Sequence, residues 1–386
     1  MYKKARTIQP WLTEVHQALH RIPELGRDLP ETTAYVAARL DEMGVPHFAC
    51  AGGLVAELAG APGGPVVALR ADMDALPVTE ATGLPQASCH AGKMHACGHD
   101  AHMACALGAL RLLRGESERA ATLRVLFQPA EETLGGSELM IRLGCLENPK
   151  VDIMLGQHGI GEFATGDIAF REGPSMASSD TFSVTVKGVG GHGAYPHNSG
   201  ADALLAAANC VTSLQGLITR QFNAVDPVVL SICTFHGGTA KNIIPEEVAF
   251  GGSIRCQTPE SRGRIKSAMD RMIGSIVTGY NCTHELDYTY GVPPLVNDPA
   301  VVATMRSAAA KLLGEEHVKT MTQPRMGSED YARYSEKIPA SCFARLGIWQ
   351  DGQAQPKFHN PAFVFDEKAL PVGAGFFVQA VLEING

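Results

Sequence analysis

The feature that most limits what this chain can fold into is a rhythm. Short apolar runs that close on polar or acidic residues are separated by stretches of helical spacing. The runs are GLVAEL (53–58), PVVALRADMD (65–74), TLRVLFQPAEE (122–132) and VDIMLGQHG (151–159). Residues 7–20 and 31–43 place their apolar side chains at helical intervals, and residues 100–114 read as a helix between the second and third runs. Strands alternating with helices predict a mixed, mainly parallel sheet with helices on both faces. Ligands of such sheets bind beyond the carboxyl ends of the strands. Asp72, Asp74, Glu131, Glu132 and His158 all fall at such ends.

The rhythm changes near residue 178. TFSVTVKGVGG (181–191) alternates as a half-exposed strand does, and residues 201–220 form a long helix candidate. VVLSICTFHGG (228–238) and EEVAFGGSIRCQ (246–257) read as strands, 261–280 as a second amphipathic helix and HELDYTYG (284–291) as a last strand. The order β-α-β-β-α-β predicts an α/β module with a four-stranded antiparallel sheet. After Val292-Pro293-Pro294 the first pattern returns, with a helix at 299–313 and the strand SCFARLGI (341–348). The expected organisation is a discontinuous domain of residues 1–177 and 290–386, interrupted by an inserted domain at 178–289.

Composition removes several function classes. The 386 residues carry a formal net charge of −8, and no cluster of Lys and Arg follows the short Lys3–Arg6 start. A nucleic-acid partner is therefore not expected. No apolar run approaches the ~20 residues that cross a bilayer, so neither is a membrane partner. The N-terminus lacks the apolar core of a signal peptide, and a cytoplasmic location is expected. The ten cysteines are then expected as free thiols, any special one serving as a ligand or nucleophile.

The densest chemistry is MHACGHDAHM (94–103), which sets His95, Cys97, His99, Asp100 and His102 within nine positions. Thiolate and imidazole suit Zn²⁺ and related ions. Any one of these residues alone would be explained by burial, or by helix capping at Asp100. Glu131-Glu132 follows an apolar strand. Adjacent carboxylates point in different directions, so one can bind a metal while the other moves a proton. His158 and His359 are candidates because the cluster still lacks ligands. Cys97, His99, Glu132, His158 and His359 together exceed one tetrahedral site and suit two ions. Asp74, and less so Asp72, would orient a ligand imidazole. In the insert, KGVGGHGAYPH (187–197) displays His192 and His197, GGTAKNIIPEE offers Asn242, and Arg255 could bind a carboxylate. GSED (327–330) reads most simply as a helix cap, with a site-lining loop as the alternative.

These stretches, with HRIPELG (20–26), RADMDALP (70–77), FQPAEE (127–132), NIIPE (242–246), GSEDYA (327–332) and FHNPAF (358–363), occur in the order found in the M20 metallopeptidases. The chain resembles that family over nearly its whole length, and within it the hippurate hydrolases, aminoacylases and auxin-conjugate hydrolases. The resemblance implies a di-metal catalytic domain with an inserted lid that also forms a homodimer. It implies Cys97, His99, Glu132, His158 and His359 as ligands of two divalent ions, zinc first and manganese, nickel or cobalt as alternatives. It implies Glu131 as general acid/base, and His192 as the lid histidine that reaches a neighbouring subunit's oxyanion. Asn242 and Arg255 match positions associated with the substrate carboxylate. The stretch GIGEFATG after His158 and the stretch GGSIRCQTPE depart from the family's usual pattern.

The expectation is a metal-dependent amidohydrolase that cleaves N-acyl amino acids, a small-molecule substrate class. The alternatives are a dipeptidase or aminopeptidase with the same site, a non-catalytic metal- or amino-acid-binding protein, and a thiol redox protein using Cys97. The intact Glu131 argues against mere binding, and the absence of a Cys-x-x-Cys motif argues against redox chemistry.

Overall fold

A computed structural model describes residues 1–116, 119–350 and 352–384. The chain divides into two compact units. The first comprises Met1–Gly173, Val296–Gln323 and Glu329–Gly386; the second comprises Pro174–Leu295 and Pro324–Ser328.

The first unit is built on an eight-stranded mixed sheet. Its central strand is Val66–Asp72, paired in parallel with Thr122–Gln128 on one side and with Ile153–Ala164 on the other. All seven residues of Val66–Asp72 are buried, as expected of a strand covered on both faces. Ile153–Ala164 also pairs in parallel with Ser341–Trp349. These four strands therefore share a direction, and their carboxyl ends share one edge. Gly53–Leu58 runs antiparallel to Thr122–Gln128 and is flanked at the sheet edge by His47–Cys50.

The helix His99–Leu113 connects Val66–Asp72 to Thr122–Gln128. It is apolar almost all round, and thirteen of its residues are buried. That composition suits a helix inside the core rather than on the surface. The helices Gln9–His20 and Leu370–Ile384 contribute to the same core.

In the second unit, a four-stranded antiparallel sheet has the order Val228–Gly237, Glu247–Cys256, Ser179–Lys187, Thr283–Val292. Strand Ser179–Lys187 alternates buried and exposed side chains. The helices Ala203–Gln221 and Pro259–Gly279 close the core, with Ala206, Leu214, Ile265 and Met269 among Val184, Val186 and Phe250. Each helix start is capped. Asp202 accepts from the backbone of Leu204 and Leu205, and Thr258 from that of Ser261.

Two local expectations are corrected. His158 does not end its strand: Gly159–Ala164 continues it, paired to Ser341–Trp349. GSED caps no helix, because Ala332–Lys337 starts after Tyr331 without a side-chain cap. The carboxylates of that motif are drawn instead to a buried arginine.

Candidate metal centre

The turn between Met94 and His99 is set by Gly98, which lies in the left-handed region at φ 81°. This conformation is easy for glycine and strained for other residues. It brings the side chains of Cys97 and His99 to one point with Glu132, their donor atoms all within 4.8 Å of one another. His158 Nε2 lies 3.4 Å from Cys97 Sγ, and His359 Nε2 lies 3.5 Å from Glu132 Oε1. The five sequence candidates thus meet at one place.

The hydrogen bonds decide which nitrogen each imidazole presents. His99 Nδ1 donates to the Asp74 carbonyl at 2.8 Å. His158 Nδ1 donates to the Gly159 carbonyl at 2.8 Å. Both rings therefore turn an Nε2 lone pair inward, the form a metal ligand needs. His99 Nε2 and Glu132 Oε1 are buried with no hydrogen-bond partner. Unpaired buried polar atoms are costly. Two of them beside a thiol and two more imidazoles fit a site built for cations of the zinc class.

His102 is different. Its Nδ1 donates to Asp72 Oδ1 at 2.6 Å, and its Nε2 accepts from the Gly159 backbone at 3.0 Å. With both nitrogens engaged, it supports neighbouring groups rather than offering a lone pair. Asp74 meets both the paired glutamates and His99. Its carboxylate accepts from the backbone of Glu131 and Glu132 at 2.9 and 3.2 Å. It therefore orients the paired glutamates, while its carbonyl accepts from His99 Nδ1 and its Oδ1 lies 3.7 Å from the same nitrogen. Asp72 Oδ2 lies 3.5 Å from His99 Nε2.

Behind the centre is a charge network that the sequence reading missed. Arg70 is buried in the central strand and donates to Asp72 at 2.5 Å, Glu329 at 2.8 Å and Asp330 at 2.9 Å. Gln128 donates to Asp330 as well. Glu131 is buried beside Glu329 and Asp330, their carboxylates within 4.8 Å of one another. Burial and these two like charges raise the Glu131 pKa well above the ordinary carboxylate value, against Arg70 and His99. Burial opposes the charged form of Asp72, yet Arg70, His99 and His102 hold its pKa well below the usual value. Burial likewise opposes charge on His99, and Asp72 reverses that effect and raises it. Burial pushes the Cys97 thiol up, and burial with His102 and Arg345 keeps His158 neutral. One sequence signal pointed to this network. An arginine inside VVALRAD must find carboxylates if it is buried.

In the second unit, His192 lies on a two-residue strand paired to Ile243–Ile244. It is exposed and accepts from the Ala194 backbone through Nδ1. The Asn242 carbonyl accepts from Gly193, so Asn242 neighbours His192. Arg255 donates to the Ser328 hydroxyl at 2.9 Å.

The model of peptidase family M20/M25/M40 matches residues 68–383. The chain belongs to this family. It is 37% identical to the N-acetyl-L-cysteine deacetylase of Bacillus subtilis (strain 168), over 96% of this chain and 87% of that protein. It is also 37% identical to the IAA-amino acid hydrolase ILR1-like 4 of Arabidopsis thaliana, over 94% and 83%. The crystal structure of the Bacillus subtilis YXEP protein, described as a dinuclear metal binding peptidase of the M20 family, superposes with a TM-score of 0.85. It is 32% identical and is covered to 99%, with 98% of this chain matched. No helix among the described residues is long and apolar enough to cross a membrane.

Proposed function

We propose that this M20 amidohydrolase cleaves the amide bond of N-acyl amino acids, releasing a carboxylic acid and a free amino acid. The observation that carries this reading is the pair of inward Nε2 lone pairs of His99 and His158, set with Cys97, Glu132 and His359 beside the buried carboxyl of Glu131. Cys97, His99, Glu132, His158 and His359 would hold two divalent ions, zinc first and manganese, nickel or cobalt as alternatives. When bound, the ions supply a Lewis acid for the scissile carbonyl and make nearby water more acidic.

Every other step belongs to the chain. Asp74 fixes the Glu131 backbone and so aims its carboxylate. Glu131 takes the proton of the attacking water and then delivers it to the leaving amine nitrogen. The developing oxyanion accepts a hydrogen bond from His192 of the partner subunit in a homodimer formed through the inserted unit, which serves as a lid. Asn242 and Arg255 would hold the carboxylate of the amino acid. This location of work is cytoplasmic. The deacetylase and amino-acid-conjugate hydrolase among the relatives support the substrate class. The peptidase description of the Bacillus subtilis structure favours a second reading, in which a dipeptide is cut by the same groups.

A panel of N-acetyl, N-benzoyl and longer-acyl amino acids, together with dipeptides, separates the two readings. Amine release from an acyl-amino-acid subset is expected. Turnover of dipeptides alone would move the assignment to a peptidase.

A further inference from the structure

The second unit presents two large apolar side chains to solvent beside His192. Strand Gly191–His192 pairs antiparallel with Ile243–Ile244, and Ile243 is the residue directly opposite His192. Directly opposed residues of an antiparallel pair share one face, with Cβ atoms about 4.5–5.5 Å apart. Ile243 therefore stands next to the imidazole, and it is 54% exposed. After His192 the chain turns, and the Tyr195 N–H donates to the His192 carbonyl at 2.8 Å. This turn sets the Tyr195 ring 5.4 Å from the His192 ring and 6.3 Å from the His197 ring. Tyr195 is 56% exposed.

The imidazole they flank has a defined donor. His192 Nδ1 accepts from the Ala194 N–H at 3.1 Å, so the neutral ring carries its proton on Nε2. That N–H is what a developing oxyanion needs. The oxygen it would hold is bonded to the scissile carbonyl carbon, whose other two substituents are the amide nitrogen and the acyl group. Beyond the nitrogen, the amino acid ends in a carboxylate, the group proposed for Asn242 and Arg255. Ile243 and the face of the Tyr195 ring offer a carboxylate no hydrogen bond, and contact with them would strip its water at a cost. The substituent that gains from these two side chains is the acyl group.

We propose, on the reading above of His192 as the oxyanion donor, that Tyr195 and Ile243 receive the acyl group of the substrate and select apolar acyl groups larger than acetyl. A methyl ends one bond beyond the carbonyl carbon and covers little of either side chain. A phenyl ring or a chain of several carbons covers both and removes their apolar surface from water. Packed there, it also keeps water away from the hydrogen bond that His192 donates, and a drier surrounding strengthens that bond. The choice of amino acid is left to Asn242 and Arg255.

The test compares amine release from the N-acetyl, N-benzoyl and N-hexanoyl derivatives of one amino acid, with metal content measured on every sample. The wild type is expected to favour benzoyl and hexanoyl over acetyl by at least about tenfold in kcat/KM, the scale on which apolar pockets discriminate. Tyr195→Ala and Ile243→Ala should each lower kcat/KM about tenfold for the two larger substrates and less than about threefold for acetyl. Tyr195→Phe keeps the ring face and should keep the wild-type preference. Both positions are exposed, so these substitutions leave the core of the unit intact. Equal losses on all three substrates would overturn the assignment, leaving the pair to seat His192 or to pack subunits. A wild type that favours acetyl, unchanged ratios in both alanine variants, or a preference lost in Tyr195→Phe would overturn it as well. No amine release from any of the three by metal-loaded wild type would refute the N-acyl reading itself, and the assignment with it.

Discussion

Arg70 shows how much of the centre rests on one side chain. It is the cation that Asp72, Glu329 and Asp330 share inside the sheet. Removing one partner of a buried ion pair leaves uncompensated charge and costs about 3–5 kcal/mol. Arg70→Met is therefore expected to lower unfolding stability by at least about 3 kcal/mol in urea denaturation. A loss below about 1 kcal/mol would show that the carboxylates are neutralised in another way. Only part of this arrangement was legible in the sequence. An arginine within VVALRAD stands out against its apolar neighbours. Asp72 is two positions away, but Glu329 and Asp330 lie 259 and 260 positions further along, and no local pattern links the two stretches. The donors Cys97 and His99 were legible because two positions around a glycine can converge, whereas the tautomers of His99 and His158 depend on carbonyls that only the fold supplies.

The turn from Pro129 to Gly136 is where an element, rather than a residue, positions the chemistry. Ala130 and Leu134 both lie at φ 57°, and the Ala130 carbonyl accepts from Gly135 and Gly136. A side chain at Gly136 would place its Cβ 1.6 Å from the Pro129 carbonyl oxygen. Backbone cannot yield that far locally, so the segment bearing Glu131 and Glu132 must shift. Gly136→Ala is expected to lower kcat by at least about tenfold, since small misplacements of catalytic groups are expensive, and to lower Tm as well. Wild-type kinetics with wild-type Tm would contradict this account of the turn. The strands and helices flanking such turns were readable from their apolar periods. The run past His158 was cut short because GIGEF, rich in glycine, resembles a loop until the strand Ser341–Trp349 pairs with it. GSED was misread as a cap because its carboxylates answer to Arg70 and Gln128, not to a helix start.

At the scale of the whole molecule, the second unit has its own sheet and core. The change of pattern near residue 178 was visible in the sequence. The segment Pro324–Ser328, which clusters with Pro174–Leu295, carries no local signal and is placed by tertiary contacts alone. The proposed homodimer adds a prediction that neither subunit can satisfy by itself. His192→Ala should lose about 100-fold or more in kcat with metal content unchanged, as expected for an oxyanion donor. Mixing it with Glu131→Gln should restore part of the activity. Each mixed dimer then contains one site with both groups intact. No restoration after subunit exchange would place His192 outside the partner's chemistry.

The central claim is that Glu131 moves the proton in an amide hydrolysis, and Glu131→Gln tests it most directly. Amine release from the best N-acyl amino acid is measured beside the wild type, with metal content determined on the same samples. The account predicts a loss of at least about 100-fold, the usual worth of a general base, with metal content unchanged. Near-normal turnover in Glu131→Gln at full metal occupancy would contradict it.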